Sequence, residues 1–124
     1  MKVARSRFID LAEEAFADVP EVFRRLVFNV AIDVRARPGP EAGRWSGSRS
    51  LLGLYTGLPR EDMAAVDAGP HLPARIVLYQ ANIESCCGDE ADLRRQLRLT
   101  LRHELAHHFG FSDAELRRKW PEGA

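Results

Sequence analysis

The chain has 124 residues, 45% of them hydrophobic and 29% charged, with 18 basic side chains against 18 acidic ones and a formal net charge of zero. That length sets a single domain, residues 1–124, with a modest core, and the charge balance excludes a global field that would draw in nucleic acid or an anionic membrane. No stretch approaches the roughly 18–20 apolar residues needed to span a bilayer.

Residues 1–7 lead into no long apolar run, so no secretory leader is expected. Cys86 and Cys87 are the only cysteines. Adjacent Cα atoms lie about 3.8 Å apart, short of the usual disulfide window of about 4.4–6.8 Å. Free thiols in a reducing, cytoplasmic compartment are therefore expected.

In residues 5–17, Phe8, Leu11, Ala12, Ala15 and Phe16 recur at helical spacing. Val19-Pro20 ends that helix, and Pro20 suits the first turn of a short second one over 21–27. From Phe28 the period becomes two, with Val30, Ile32 and Val34 on one side, which predicts a half-buried strand ended by Pro38. Residues 37–50, rich in Pro, Gly and Ser, predict a long loop in which Trp45 packs back on the domain. Residues 51–58 read as a short or bulged strand interrupted by Gly53 and Gly57.

A second long loop, 60–73, is expected to hold one or two helical turns near 61–67 and a loop histidine, His71. Residues 75–83 are rich in β-branched and aromatic types and predict a third strand. Asp89 then suits the N-cap of a long helix carrying Leu93, Leu97, Leu101 and Leu105 every four residues. Its arginines Arg94, Arg95, Arg98 and Arg102 are expected to form a solvated face balanced by nearby acids. Ser112 suits the cap of a last helix over 113–119, with Leu116 and Trp120 packing inward. Together these elements predict an α+β fold. A small mixed sheet of about three strands packs on an N-terminal helix and a long helix, and a short C-terminal helix follows.

The long helix ends in His103-Glu104-Leu105-Ala106-His107, followed by His108-Phe109-Gly110-Phe111-Ser112-Asp113. On a helix His103 and His107 lie one turn apart on one face, so both imidazoles can converge on one ion. Zinc takes nitrogen, sulfur and carboxylate ligands in a tetrahedron, and a catalytic zinc keeps one corner for water. Glu104 projects about 100° round the helix, beside the ion rather than on it, which suits a base acting on water. Gly110 can adopt the left-handed conformation that stops the helix and turns the chain back, so that Asp113 can swing a carboxylate to the same ion. Glu115 and His108 compete for that third position, although His108 points about 100° from His107 and better suits a core-facing or supporting role. By chance, H-E-x-x-H alone occurs in about 1–2% of chains this long, and requiring Gly110 and Asp113 lowers that about 400-fold.

This signature, H-E-x-x-H-x-x-G-x-x-D, resembles that of zincin metallopeptidases, and within them a family of small bacterial proteins described as minimal zincins. The likeness runs over most of the chain. It includes Leu52-Gly53-Leu54-Tyr55-x-Gly57-x-Pro59, Leu72-Pro73-x-Arg75-Ile76-x-Leu78-Tyr79 and His107-His108-Phe109-Gly110-x-Ser112-Asp113. The resemblance implies a minimal zincin-like fold with one zinc ion on His103, His107 and Asp113, and Glu104 as catalytic base in the hydrolysis of a peptide or protein substrate. By analogy it also implies that the third strand is the sheet edge above the cleft. Arg75, Ile76, Val77, Leu78 and Tyr79 would then receive an extended peptide by strand addition. Donors to a tetrahedral oxyanion would come from Arg117, Arg118, Tyr79 or His71, and no methionine follows residue 63 to make a Met-turn. The competing reading is a non-catalytic zinc module that captures an extended peptide or partner protein on its edge strand.

Overall fold

The computed structural model describes residues 1–57 and 74–122. The expected loop over 60–73, with its helical turns near 61–67 and His71, lies outside the described residues. The architecture is α+β. Helix α1 (Arg5–Ala17) and a single-turn α2 (Glu21–Arg24) lead into strand β1 (Val30–Arg35). A 3-10 segment (Pro40–Trp45) precedes β2 (Gly53–Thr56) and β3 (Ala74–Tyr79), and α3 (Gln80–Ser85), α4 (Glu90–Phe109) and α5 (Asp113–Lys119) follow.

The three strands form one sheet in the order β1-β3-β2. β1 runs parallel to β3 with Val30 opposite Ala74 and Arg35 opposite Tyr79. β2 runs antiparallel to β3 with Gly53 opposite Leu78 and Thr56 opposite Arg75. This corrects the expected edge position of residues 75–79. β3 is the middle strand, bonded on both sides, and Ile76, Val77, Leu78 and Tyr79 are fully buried, leaving only Arg75 exposed. The physical reason lies in the residues themselves. An unbroken apolar run without alternation is what a strand covered on both faces requires. The backbone of Arg75, Ile76, Val77, Leu78 and Tyr79 is therefore not open to an added peptide strand. The strand also ends at Tyr79 rather than at 83, because the chain enters α3, where Ala81 N–H donates to Ala36 O at 3.0 Å.

The core sits between the sheet and the helices. Phe8, Leu11, Ala12 and Ala15 of α1 meet the four-residue stripe Leu93, Leu97, Leu101 and Leu105 of α4, together with Ile76 and Leu78. Asp89 caps α4 by accepting from Asp92 N–H at 2.8 Å. Two expectations fail nearby. Ile32 remains 37% exposed, because β1 is an edge strand with α1 covering only part of its face, and Trp45 is 47% exposed with the Arg44 guanidinium 4.8 Å above its ring.

Helix α4 stops at Gly110, which is left-handed at φ 74°, ψ 23°. Gly110 N–H donates to His107 O at 3.1 Å and Phe111 N–H to Ala106 O at 2.9 Å, closing the helix end as the glycine predicts. Ser112 then caps α5 reciprocally with Glu115. Phe23 stacks on Trp120 at 4.7 Å between ring centroids and touches Phe109 and Phe111, which pins the reversed chain to α2.

Candidate metal centre

Helix α4 presents Thr100, Glu104 and His108, four residues apart, as one buried line along β2. His103 and His107 form the neighbouring line and are exposed. The close approach depends on Gly53. A Cβ there would stand 2.8 Å from Thr100 Cγ2 and 3.3 Å from Glu104 Cγ. Tyr79 N–H donates to Leu52 O at 2.9 Å, so the in-phase residues Leu54 and Thr56 carry the ladder with β3, and Gly53 and Tyr55 direct their amides away from it. The outward Tyr55 N–H reaches the Glu104 carboxylate.

The His103 and His107 rings lie 5.2 Å apart between centroids at 83° to one another. With Zn–N bonds of about 2.0–2.1 Å, two imidazoles at tetrahedral corners of one zinc would have centroids roughly 5 Å apart, so this pair fits a shared ion. Burial pushes the Glu104 carboxyl above its ordinary pKa, while the neighbouring His103 and His107 charges and the Tyr55 N–H pull it back down. A carboxylate that is buried, bonded and beside two imidazoles is equipped to accept and return a proton. His103 and Glu104 also line a cavity of about 280 Å³ with Gln96, Thr100 and the Ser50–Gly53 stretch.

The competitors for a third ligand separate clearly. His108 is fully buried. Its Nε2 accepts from Phe28 N–H at 3.0 Å, and its Nδ1 lies 2.9 Å from the Tyr55 hydroxyl. Accepting at Nε2 places the proton of a neutral ring on Nδ1, which donates to the Tyr55 oxygen. His108 therefore braces β2 against α4 and does not face an ion. Glu115 accepts from Ser112 N–H at 3.2 Å and pairs with Lys119 at 3.5 Å, and the Ser112 N–H holds its carboxyl below the ordinary value. Asp113 is the first residue of α5 and is exposed. Among the described residues no three His, Cys, Asp or Glu side chains gather in a way that would hold a metal, so Asp113 is not brought onto the histidine pair in this conformation.

The match to a family profile decides the kinship: the profile of the zincin-like metallopeptidases covers residues 27–120. The chain belongs to that family. Among solved structures it is similar to a conserved hypothetical protein from Thermo thermophilus, with a TM-score of 0.55 and 27% identity over 86% of this chain and 94% of that one. No curated protein sequence matches it.

Within this zincin-like chain, sequence reasoning singled out the histidine pair and Glu104 and foresaw the Gly110 turn, and missed what surrounds them. Tyr55 meets α4 twice, through its N–H at Glu104 and through its hydroxyl at the bracing His108, and Gly53 makes room for Glu104. Both stand in the Leu52-Gly53-Leu54-Tyr55 run, but a strand reading alone does not say which edge meets the helix. Of the expected oxyanion donors, Tyr79 is buried with its hydroxyl donating to Glu41 at 3.4 Å, and Arg117 and Arg118 are exposed on α5. No helix among the described residues is long and apolar enough to cross a membrane.

Proposed function

We propose that this zincin-like protein hydrolyses peptide bonds in a peptide or protein substrate, with His103, His107 and Asp113 holding one zinc ion and Glu104 serving as general base. The observation that carries the reading is the placement of Glu104. Its carboxylate is buried, held by the Tyr55 N–H and flanked by two imidazoles at the spacing one zinc requires. When bound, zinc supplies Lewis acidity, lowering the pKa of a water from 15.7 towards about 7 and polarising a carbonyl. Glu104 takes the proton from the attacking water onto its carboxylate and hands it to the departing amine. Desolvation of that carboxylate favours the proton-accepting step, because the charged form is the less comfortable one in its surroundings. Asp113, at the start of α5 just past the Gly110 reversal, would be the third residue to hold the ion. The exposed Cys86 and buried Cys87, both free, support a reducing, cytoplasmic setting.

The test pairs elemental analysis with a peptide-library cleavage assay on the wild type and on Glu104→Gln. One zinc per chain is expected in both proteins, with cleavage reduced at least about 100-fold in the variant. Cleavage retained by Glu104→Gln, or a wild type that carries no metal, refutes the proposal.

A further inference from the structure

A second cavity adjoins the histidine cleft along α4, sharing Leu99 with it, and the zinc reading does not use it. It encloses about 390 Å³ between the end of α1, the outward face of α4 and the end of α5. Arg95, Arg98 and Arg102, spaced three and four residues apart on α4, line it together with the apolar Val19, Leu99 and Trp120. The expectation of a solvated arginine face holds for the exposed Arg95 and Arg98 and fails at Arg102, which is buried. Arg94 also meets that expectation, paired with Glu14 and Glu90. Arg95 and Arg98 are exposed and have no ion pair or hydrogen bond among the described residues.

Arg102 is the unusual member. It is only 8% exposed. Its Nε donates to Trp120 O at 2.8 Å. The guanidinium's other N–H groups have no hydrogen bond among the described residues. The nearest carboxylate oxygen, on Glu122, stands 3.9 Å from Nη1 on a side chain that is 71% exposed. A guanidinium carries five N–H donors and a fixed charge, so a buried one held by a single hydrogen bond and one long ion pair has donors left for further acceptors. Its planar fork suits two oxygens of one phosphate or carboxylate.

We infer that this cavity is a binding site for a small organic oxyanion, a phosphate monoester or carboxylate carried on an apolar body. Arg102 and Arg98 take the oxyanion, Arg95 adds charge at the mouth, and Trp120, Val19 and Leu99 pack the apolar part. Asp18 and Glu122 also line the cavity. They leave the arginines in excess, three against two, and the Glu122 side chain is 71% exposed. The two cavities share Leu99, but among the described residues no histidine lines this one and no arginine lines the histidine cleft, so anion binding here does not call on the metal ligands.

The test is calorimetric titration of the full chain with phenyl phosphate, benzoate and phenol at matched ionic strength. It compares wild type with Arg98→Ala, Arg95→Ala and His103→Ala. The two arginine substitutions are at exposed positions, so folding is not at stake as it would be at Arg102. Saturable binding of phenyl phosphate or benzoate is expected, with none for phenol. Affinity should fall at least tenfold in both arginine variants and be unchanged in His103→Ala. A preference for phenyl phosphate assigns a phosphate monoester, and a preference for benzoate assigns a carboxylate. Heat of dilution alone from both anions, equal affinity in the arginine variants, or loss of binding in His103→Ala overturns the inference.

Discussion

Glu104 and His108 sit one helical turn apart on the same buried line of α4, and opposite demands are made of them. His108 has both ring nitrogens committed, to Phe28 N–H and to the Tyr55 hydroxyl. Glu104 takes the Tyr55 N–H and sits beside the histidine pair. Two substitutions separate the remaining candidates for the third ligand. Asp113→Ala is expected to weaken zinc binding by more than the roughly 10–100-fold that loss of an outer-shell partner costs. Glu115→Ala should leave zinc affinity unchanged and lower stability measurably, because it removes half of a reciprocal helix cap. Competition titration against a chromogenic chelator reads the first effect and urea denaturation the second. A loss of zinc affinity confined to Glu115→Ala would reverse the assignment.

The packing of α4 on β2 is controlled by Gly53, and the direction of the chain after α4 by Gly110. Gly53→Ala forces a methyl to within 2.8 Å of Thr100 Cγ2, and a β-branched side chain on a helix has little rotamer freedom with which to yield. The expected cost is about 1–3 kcal/mol, with the Glu104 carboxylate displaced from the Tyr55 N–H. Adding Thr100→Ser removes the clashing methyl and should recover most of the melting temperature. A double variant no more stable than Gly53→Ala would show that the clash is not the cause. Gly110→Ala places a Cβ at φ 74° and should cost about 1–2 kcal/mol in urea denaturation, since only the left-handed conformation closes the helix and starts α5 where it stands.

The sheet order β1-β3-β2 governs the molecule as a whole, because it buries β3 and leaves β2 as the edge beside the histidines. Tyr79, at the end of the central strand, has its hydroxyl pKa pushed up to about 12, first by burial and then by Glu41, to which it donates. The folded pKa lies above the unfolded value of about 10. The stabilisation is therefore complete below about pH 10 and is lost as the pH rises towards about 12. Melting temperature followed across that range should fall, and Tyr79→Phe should flatten the slope. An unchanged slope in the variant would assign the alkaline loss to other groups.

Periodicity along the chain was enough to reveal α1 and α4, because each repeats its apolar positions against one core: Leu93, Leu97, Leu101 and Leu105 are all fully buried, whereas the six-residue α3 is too short to show a period and was read as the end of a strand. The Gly110 stop and the Ser112 cap were equally legible, since both are local devices that act within a few residues. The pairing of strands was not legible. Ile76–Tyr79 read correctly as a strand and wrongly as an edge, because pairing joins segments far apart in the chain and no local pattern states which neighbour lies on which side. The same limit hid the Tyr55 N–H on Glu104 and the burial of Arg102 against Trp120. Each of these contacts arises where two distant segments pack together, and a residue's type says what it can bond to but not what the fold will bring to it.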